Sequence, residues 1–155
     1  MSSLIYVRKD GKTLMLRRDK KDAELHGYKY NGVGGKLERG ESPEDCAFRE
    51  IREETGLTAK SLVFRGHLTF PYFDDVVDWL VFVYECYDFE GEIVESDEGS
   101  LHWIDDENIM KINIYEGDKV FLDVLYNSTD NFYGTFLYKH GEFVDATLHR
   151  IALKA

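Results

Sequence analysis

The chain has little that staples or interrupts a fold. Among its 155 residues are 2 cysteines and 2 prolines. Cys46 and Cys86 form no Cys-x-x-Cys pair, so neither a disulfide framework nor a thiolate metal knot is implied. His26, His67, His102, His140 and His149 show no His-x-x-x-His spacing, which argues against zinc chemistry. There is no Gly-x-Ser-x-Gly elbow, and Gly32-Val33-Gly34 is not set in a dinucleotide fingerprint. Basic charge is scarce: 19 Lys and Arg stand against 30 Asp and Glu, a net charge of −11. That balance opposes the positive footprint a duplex nucleic-acid binder needs. No apolar run approaches a membrane span, and MSSLIYVRKDGK lacks the apolar core of a signal peptide. The expectation is a cytoplasmic protein with neither nucleic-acid nor membrane partners. In that setting Asn127-Ser128-Thr129 reads as a polar turn rather than a glycosylation site.

Hydrophobic residues make up 43% of the chain and aromatics 14%, enough for a real core. With no linker or repeat in view, one domain over residues 1–155 is expected. Residues 4–7 and 13–17 read as strands joined at Asp10-Gly11, and 28–31 as a short strand before a glycine loop at 31–35. Residues 62–70, 76–87 and 100–104 also read as strands, the second by its alternation. Asp105-Asp106 would cap a helical turn, 117–126 has helical spacing, and 132–139 with 142–151 form a hairpin about His140-Gly141. Strands and helices mix without strict β-α-β units, which predicts an α+β fold with helices packed on a mixed sheet.

The most informative stretch is 35–57, GKLERGESPEDCAFREIREETGL. Ser42 is a good N-cap, Pro43 suits the first helical position, and Asp45 completes a capping box. Nothing breaks a helix from there to Thr55, and Gly56 is a natural stop. On it Glu50, Glu53 and Glu54 stand at i, i+3 and i+4, so they share a face and repel unless cations intervene. Oxygen-only ligands of high charge suit Mg²⁺ or Mn²⁺. Arg49 is placed to orient Glu50 or Glu53, while Glu41 ties the preceding loop to the helix. Gly35 and its neighbours allow close backbone approach to metal or phosphate. A basic cluster of Arg17, Arg18, Lys20 and Lys21 precedes the glycines and would draw in a phosphate-rich ligand that the global charge does not.

The spacing of Gly35, Glu41, Arg49, Glu50, Glu53, Glu54 and Gly56 resembles the signature of the Nudix hydrolases. The resemblance implies an α/β/α sandwich with a mixed sheet and divalent-metal hydrolysis of nucleoside diphosphate linkages. The chain looks most like the MutT-type branch that converts oxidised purine nucleoside triphosphates such as 8-oxo-dGTP to the monophosphate and pyrophosphate. By that resemblance Gly35, Glu50, Glu53, Glu54 and Glu98 hold the metal, and Glu50, Glu53 and Arg49 carry the chemistry. Lys36 and Arg18 are the candidates for phosphate contact. Asn31 reads the purine edge, Tyr115 stacks on the base and Asp118 bonds its edge. One of two adjacent acidic positions expected there is Gly117. Pro71-Tyr72 favours a runner-up, cleavage of ADP-ribose or dinucleoside polyphosphates. A non-catalytic nucleotide sensor is the other alternative, and it is opposed by the full set of glutamates.

Overall fold

The computed structural model describes residues 1–18 and 28–152. Among them lie strands β1 (Ser2–Lys9), β2 (Lys12–Arg17), β3 (Tyr30–Asn31) and β4 (Val33–Lys36), then helix α1 (Pro43–Thr55). After it come β5 (Thr58–Phe70), β6 (Trp79–Glu90), β7 (Ser100–Asp105) and a short 3-10 helix, Asp106–Lys111. Helix α2 (Asp118–Asn127), β8 (Asn131–Lys139) and β9 (Glu142–Ile151) follow. The strands join one sheet in the order β3-β2-β1-β6-β5-β8-β9, with β4 on β1 and β7 on β2. The β1–β6 and β5–β8 pairs are parallel and the other pairs antiparallel, so the expected mixed sheet is present.

Alternation along the central strands builds two cores. Ile5, Val7, Leu14 and Leu16 pack with Ala47 and Ile51 of α1. Their neighbours Tyr6 and Met15 join Leu68, Val83 and Phe132 against Phe121, Leu122 and Leu125 of α2. A helix on each face makes the α/β/α sandwich.

The structure corrects several local readings. The glycine stretch is not a free loop, because Gly34 and Gly35 pair with Leu4 and Ser3 of β1. A Cβ on Gly34 would run into the Ser3 carbonyl oxygen, so only glycine lets the strands meet so closely. Residues 76–78 are loop rather than strand, since the Asp74 carboxylate captures the N–H groups of Val76 and Val77, each at 2.8 Å. Asp105 makes no side-chain cap; Asp106 instead accepts from Arg8 at 2.9 Å and Thr13 at 2.8 Å.

Buried Arg65 of β5 has no local sequence rationale. It is 3% exposed, pairs with Glu85 of β6, and donates to the carbonyls of Leu125 (2.9 Å), Ser128 (2.9 Å) and Asp130 (2.8 Å). It satisfies the open carbonyl end of α2 and ties that helix to the sheet.

Candidate active site

Helix α1 starts and stops as its residues dictate. The Ser42 side chain accepts from Asp45 N–H at 3.0 Å, and Asp45 accepts from Ser42 N–H at 3.2 Å. Gly56 closes the helix in the left-handed region, at φ 79°. Ala47 and Ile51 face the core, which turns Arg49, Glu50 and Glu53 toward the β4 edge.

Arg49 is the hub. It grips Glu41 with two parallel bonds, Nε to Oε2 at 2.7 Å and Nη2 to Oε1 at 2.8 Å. Nη1 donates to Glu50 at 2.7 Å and Glu53 at 3.1 Å, and Nη2 to the Lys36 carbonyl at 3.1 Å. Arg49 thus orients both glutamates. Its guanidinium, with the Glu38 N–H, holds Glu41 well below the usual carboxylate range, at about 2. Glu41 is therefore a fixed anchor, as the sequence suggests.

Gly35 has a steric reason. A Cβ there would come within 2.5 Å of the Glu50 carboxylate, so glycine is what lets this acid pack over the backbone. Glu54 is 5% exposed and accepts from Gly34 N–H at 3.3 Å. Burial pushes its pKa up to about 8, and the Glu50 and Glu98 carboxylates add to the rise while Gly34 and Arg18 oppose it. Glu98, far off in sequence, arrives on the loop before β7 and pairs with Arg18 at 3.2 Å. The structure thus brings Glu50, Glu53, Glu54, Glu98, Gly35 and Arg18 into one region. Lys20 and Lys21 lie outside the described residues.

As they stand, no three His, Cys, Asp or Glu side chains among the described residues are grouped to hold a metal ion. Glu50 and Glu53 are turned onto Arg49, and Glu98 onto Arg18. The donor set still fits a hard divalent cation, because it is all oxygen and centres on a buried acid that, among the described residues, has no cationic side chain at bonding distance.

The residues expected to meet the base lie in β3 and at the start of α2. Asn31 accepts from Gly32 N–H through Oδ1 at 2.9 Å, which fixes the orientation of its amide. Tyr30 N–H bonds the Asn113 carbonyl at 2.9 Å and so draws β3 onto the segment leading to Tyr115. Tyr115 packs at the edge of the α2-side core. Asp118 is 6% exposed, and burial pushes its carboxyl up to about 7 against the pull of Lys29. Two residues not flagged by sequence belong here. Lys29 stands 5.4 Å above the Tyr115 ring. Trp79 carries the Lys36 ammonium 5.1 Å above its own ring, so Lys36 rests on an aromatic face. Nothing in the local sequence pairs position 36 with position 79; only the sheet does.

A separate cavity of about 580 Å³ is lined by Arg8, Arg65, Glu85, Tyr87, Tyr126 and Asn131 and shares no residue with the carboxylate site.

An α/β/α sandwich that gathers an Arg49-centred glutamate cluster beside a glycine strand defines a class. The NUDIX domain family model matches residues 2–125, and the chain belongs to that family. It is 33% identical over 136 residues to the Nudix hydrolase YvcI of Bacillus subtilis (strain 168), covering 85% of this chain and 82% of that one. It is 31% identical over 124 residues to the oxidized purine nucleoside triphosphate hydrolase of Danio rerio, covering 79% of each. The MutT protein of Bacillus halodurans superposes with a TM-score of 0.85 at 28% identity, covering 95% of both chains. The chain is thus a MutT-type Nudix hydrolase. Among the described residues no helix is long and apolar enough to cross a membrane.

Proposed function

We propose that this enzyme hydrolyses purine nucleoside triphosphates, ordinary or oxidised as in 8-oxo-dGTP, to the monophosphate and pyrophosphate. The role is clearance of damaged nucleotides before DNA synthesis, by one domain over residues 1–155. The observation that carries the reading is the Arg49-centred glutamate cluster beside the β4 glycines, with Asn31 in the strand just before them and the segment that leads to Tyr115 and Asp118 bonded to that strand through Tyr30. The match to an oxidized purine nucleoside triphosphate hydrolase supports it.

Gly35, Glu50, Glu53, Glu54 and Glu98 are the residues that would hold Mg²⁺, with Mn²⁺ as the natural substitute. When bound, the cation offsets phosphate charge and lowers the pKa of a water. Glu50 accepts the proton of the attacking water, with Arg49 fixing its orientation and Glu53 beside it. Lys36 and Arg18 bind the phosphates and favour an in-line path for the leaving pyrophosphate. Tyr115 stacks on the base while the Asn31 amide and the Asp118 carboxyl bond its edge.

The test is a panel of purine and pyrimidine triphosphates, ADP-ribose and dinucleoside polyphosphates with Mg²⁺, scored for products. Monophosphate and pyrophosphate from dGTP or 8-oxo-dGTP are expected. Diphosphate with orthophosphate would place attack at the wrong phosphorus, and a preference for ADP-ribose would overturn the triphosphate assignment.

A further inference from the structure

The loop of residues 71–78, between β5 and β6, touches both halves of the site. At one end the Phe73 ring is seated among Phe70, Tyr115 and Tyr138, at centroid distances of 5.8, 6.1 and 5.1 Å. At the other end is Trp79, whose ring lies under the Lys36 ammonium at 5.1 Å. Asp74 welds the two ends together. Its Oδ1 accepts the N–H groups of Val76 and Val77 at 2.8 Å each, and its Oδ2 accepts the Trp79 indole N–H at 2.7 Å. Tyr72 takes a positive φ of 58°, an unusual backbone for a tyrosine, and its N–H is held by Asp78 at 3.0 Å.

Lys36 sits in β4 beside Gly35, and its carbonyl is tied to Arg49. Its backbone is therefore fixed, while its long side chain is free to choose a direction. Two features at this end of the loop make that choice: the face of Trp79, which attracts a cation, and the Asp74 carboxylate bonded to its indole N–H. Lys36 contributes to holding the Asp74 carboxyl below its ordinary range, behind the three N–H donors, so the pair share a field.

We propose that Trp79 is the positioning residue of Lys36: with Asp74 it holds the ammonium at the mouth of the phosphate site, and Phe73 seats the loop that carries Asp74 and leads into Trp79. The inference rests on reading Lys36 as a phosphate contact. It makes an aromatic residue outside the family signature necessary for phosphate binding, and it places that residue at the end of a loop anchored beside Tyr115.

A double-mutant cycle tests it. Lys36→Met, Trp79→Ala and the double variant are titrated with inorganic pyrophosphate in Mg²⁺ by calorimetry, with melting temperature recorded for each. Each single change should weaken pyrophosphate by about tenfold, the scale of one charge-assisted bond, and the double should be no weaker than either single. Trp79→Phe keeps a ring under the ammonium and should retain most of the affinity. Asp74→Asn, on the exposed loop, should weaken pyrophosphate in the same direction and covers the case in which Trp79→Ala misfolds. Losses that multiply in the double variant would overturn the proposal, as would unchanged binding in both Trp79→Ala and Asp74→Asn. If Lys36→Met alone leaves pyrophosphate binding intact, Lys36 is no phosphate contact and the proposal falls with it. Pyrophosphate carries no base, so a coupled cycle stands even if the nucleotide panel returns a different preferred substrate.

Discussion

Asp118 is nearly out of water at the start of α2, with Tyr6 and Tyr138 feeling its charge and Lys29 pulling on it from nearby. Its carboxyl titrates near 7 rather than at the ordinary 3.8. A raised acid binds its proton more firmly in the folded state, so stability declines as pH climbs from about 4 to about 7 and stays lower above that. Asp118→Asn removes this penalty. The variant should gain roughly 1–4 kcal/mol relative to wild type at pH 8 and much less at pH 5, read by calorimetry at the two pH values. Equal shifts at both would mean the carboxyl is solvated. Glu54→Gln tests the other buried acid. Turnover should drop by orders of magnitude while far-UV spectra and cooperative melting persist, because Gln keeps the shape and the bond from Gly34. Wild-type rates would remove Glu54 from the metal set.

At the scale of elements, α1 is the most legible part of the chain because every signal that makes it is local. Ser42, Pro43, Asp45 and Gly56 lie within or next to it, and the structure uses each as its chemistry suggests. Ser42→Ala should cost about 1 kcal/mol in urea denaturation, with kcat hardly altered if the helix frays only at its first turn. Glu50 and Glu53 could be placed together in advance for the same reason: helical spacing alone puts them on one face. β4 was not legible. Its glycines read as a loop because the reason for them is the Ser3 carbonyl, more than thirty positions away in the chain. Residues 76–78 carry strand-like valines, yet one upstream carboxylate takes their N–H groups before a partner strand can. The contact of Lys36 with Trp79, and of Glu98 with Arg18, belongs to the same class: pairs that only the assembled sheet brings together.

Across the whole molecule, Arg65 joins three elements that the sequence keeps apart: β5, β6 through Glu85, and the end of α2. Arg65→Met would strand buried carbonyls and remove one of the cations facing Glu85, at a cost of roughly 3–5 kcal/mol. Equilibrium denaturation in urea measures it, and a loss below about 1 kcal/mol would show that water replaces the guanidinium. The central parallel pair has its own consequence. Ser2 to Val7 lie beside Val81 to Cys86, with β2 and β4 sharing the opposite edge of β1. On the ribosome the first strand emerges long before Val81 has been synthesised. A hairpin with β2 can form early, but the inner edge of β1 stays open, an apolar ribbon with unmet amides, until much of the chain is out. The nascent protein is therefore most exposed to sticking or to chaperone capture during that interval, and it closes its fold late and at its centre.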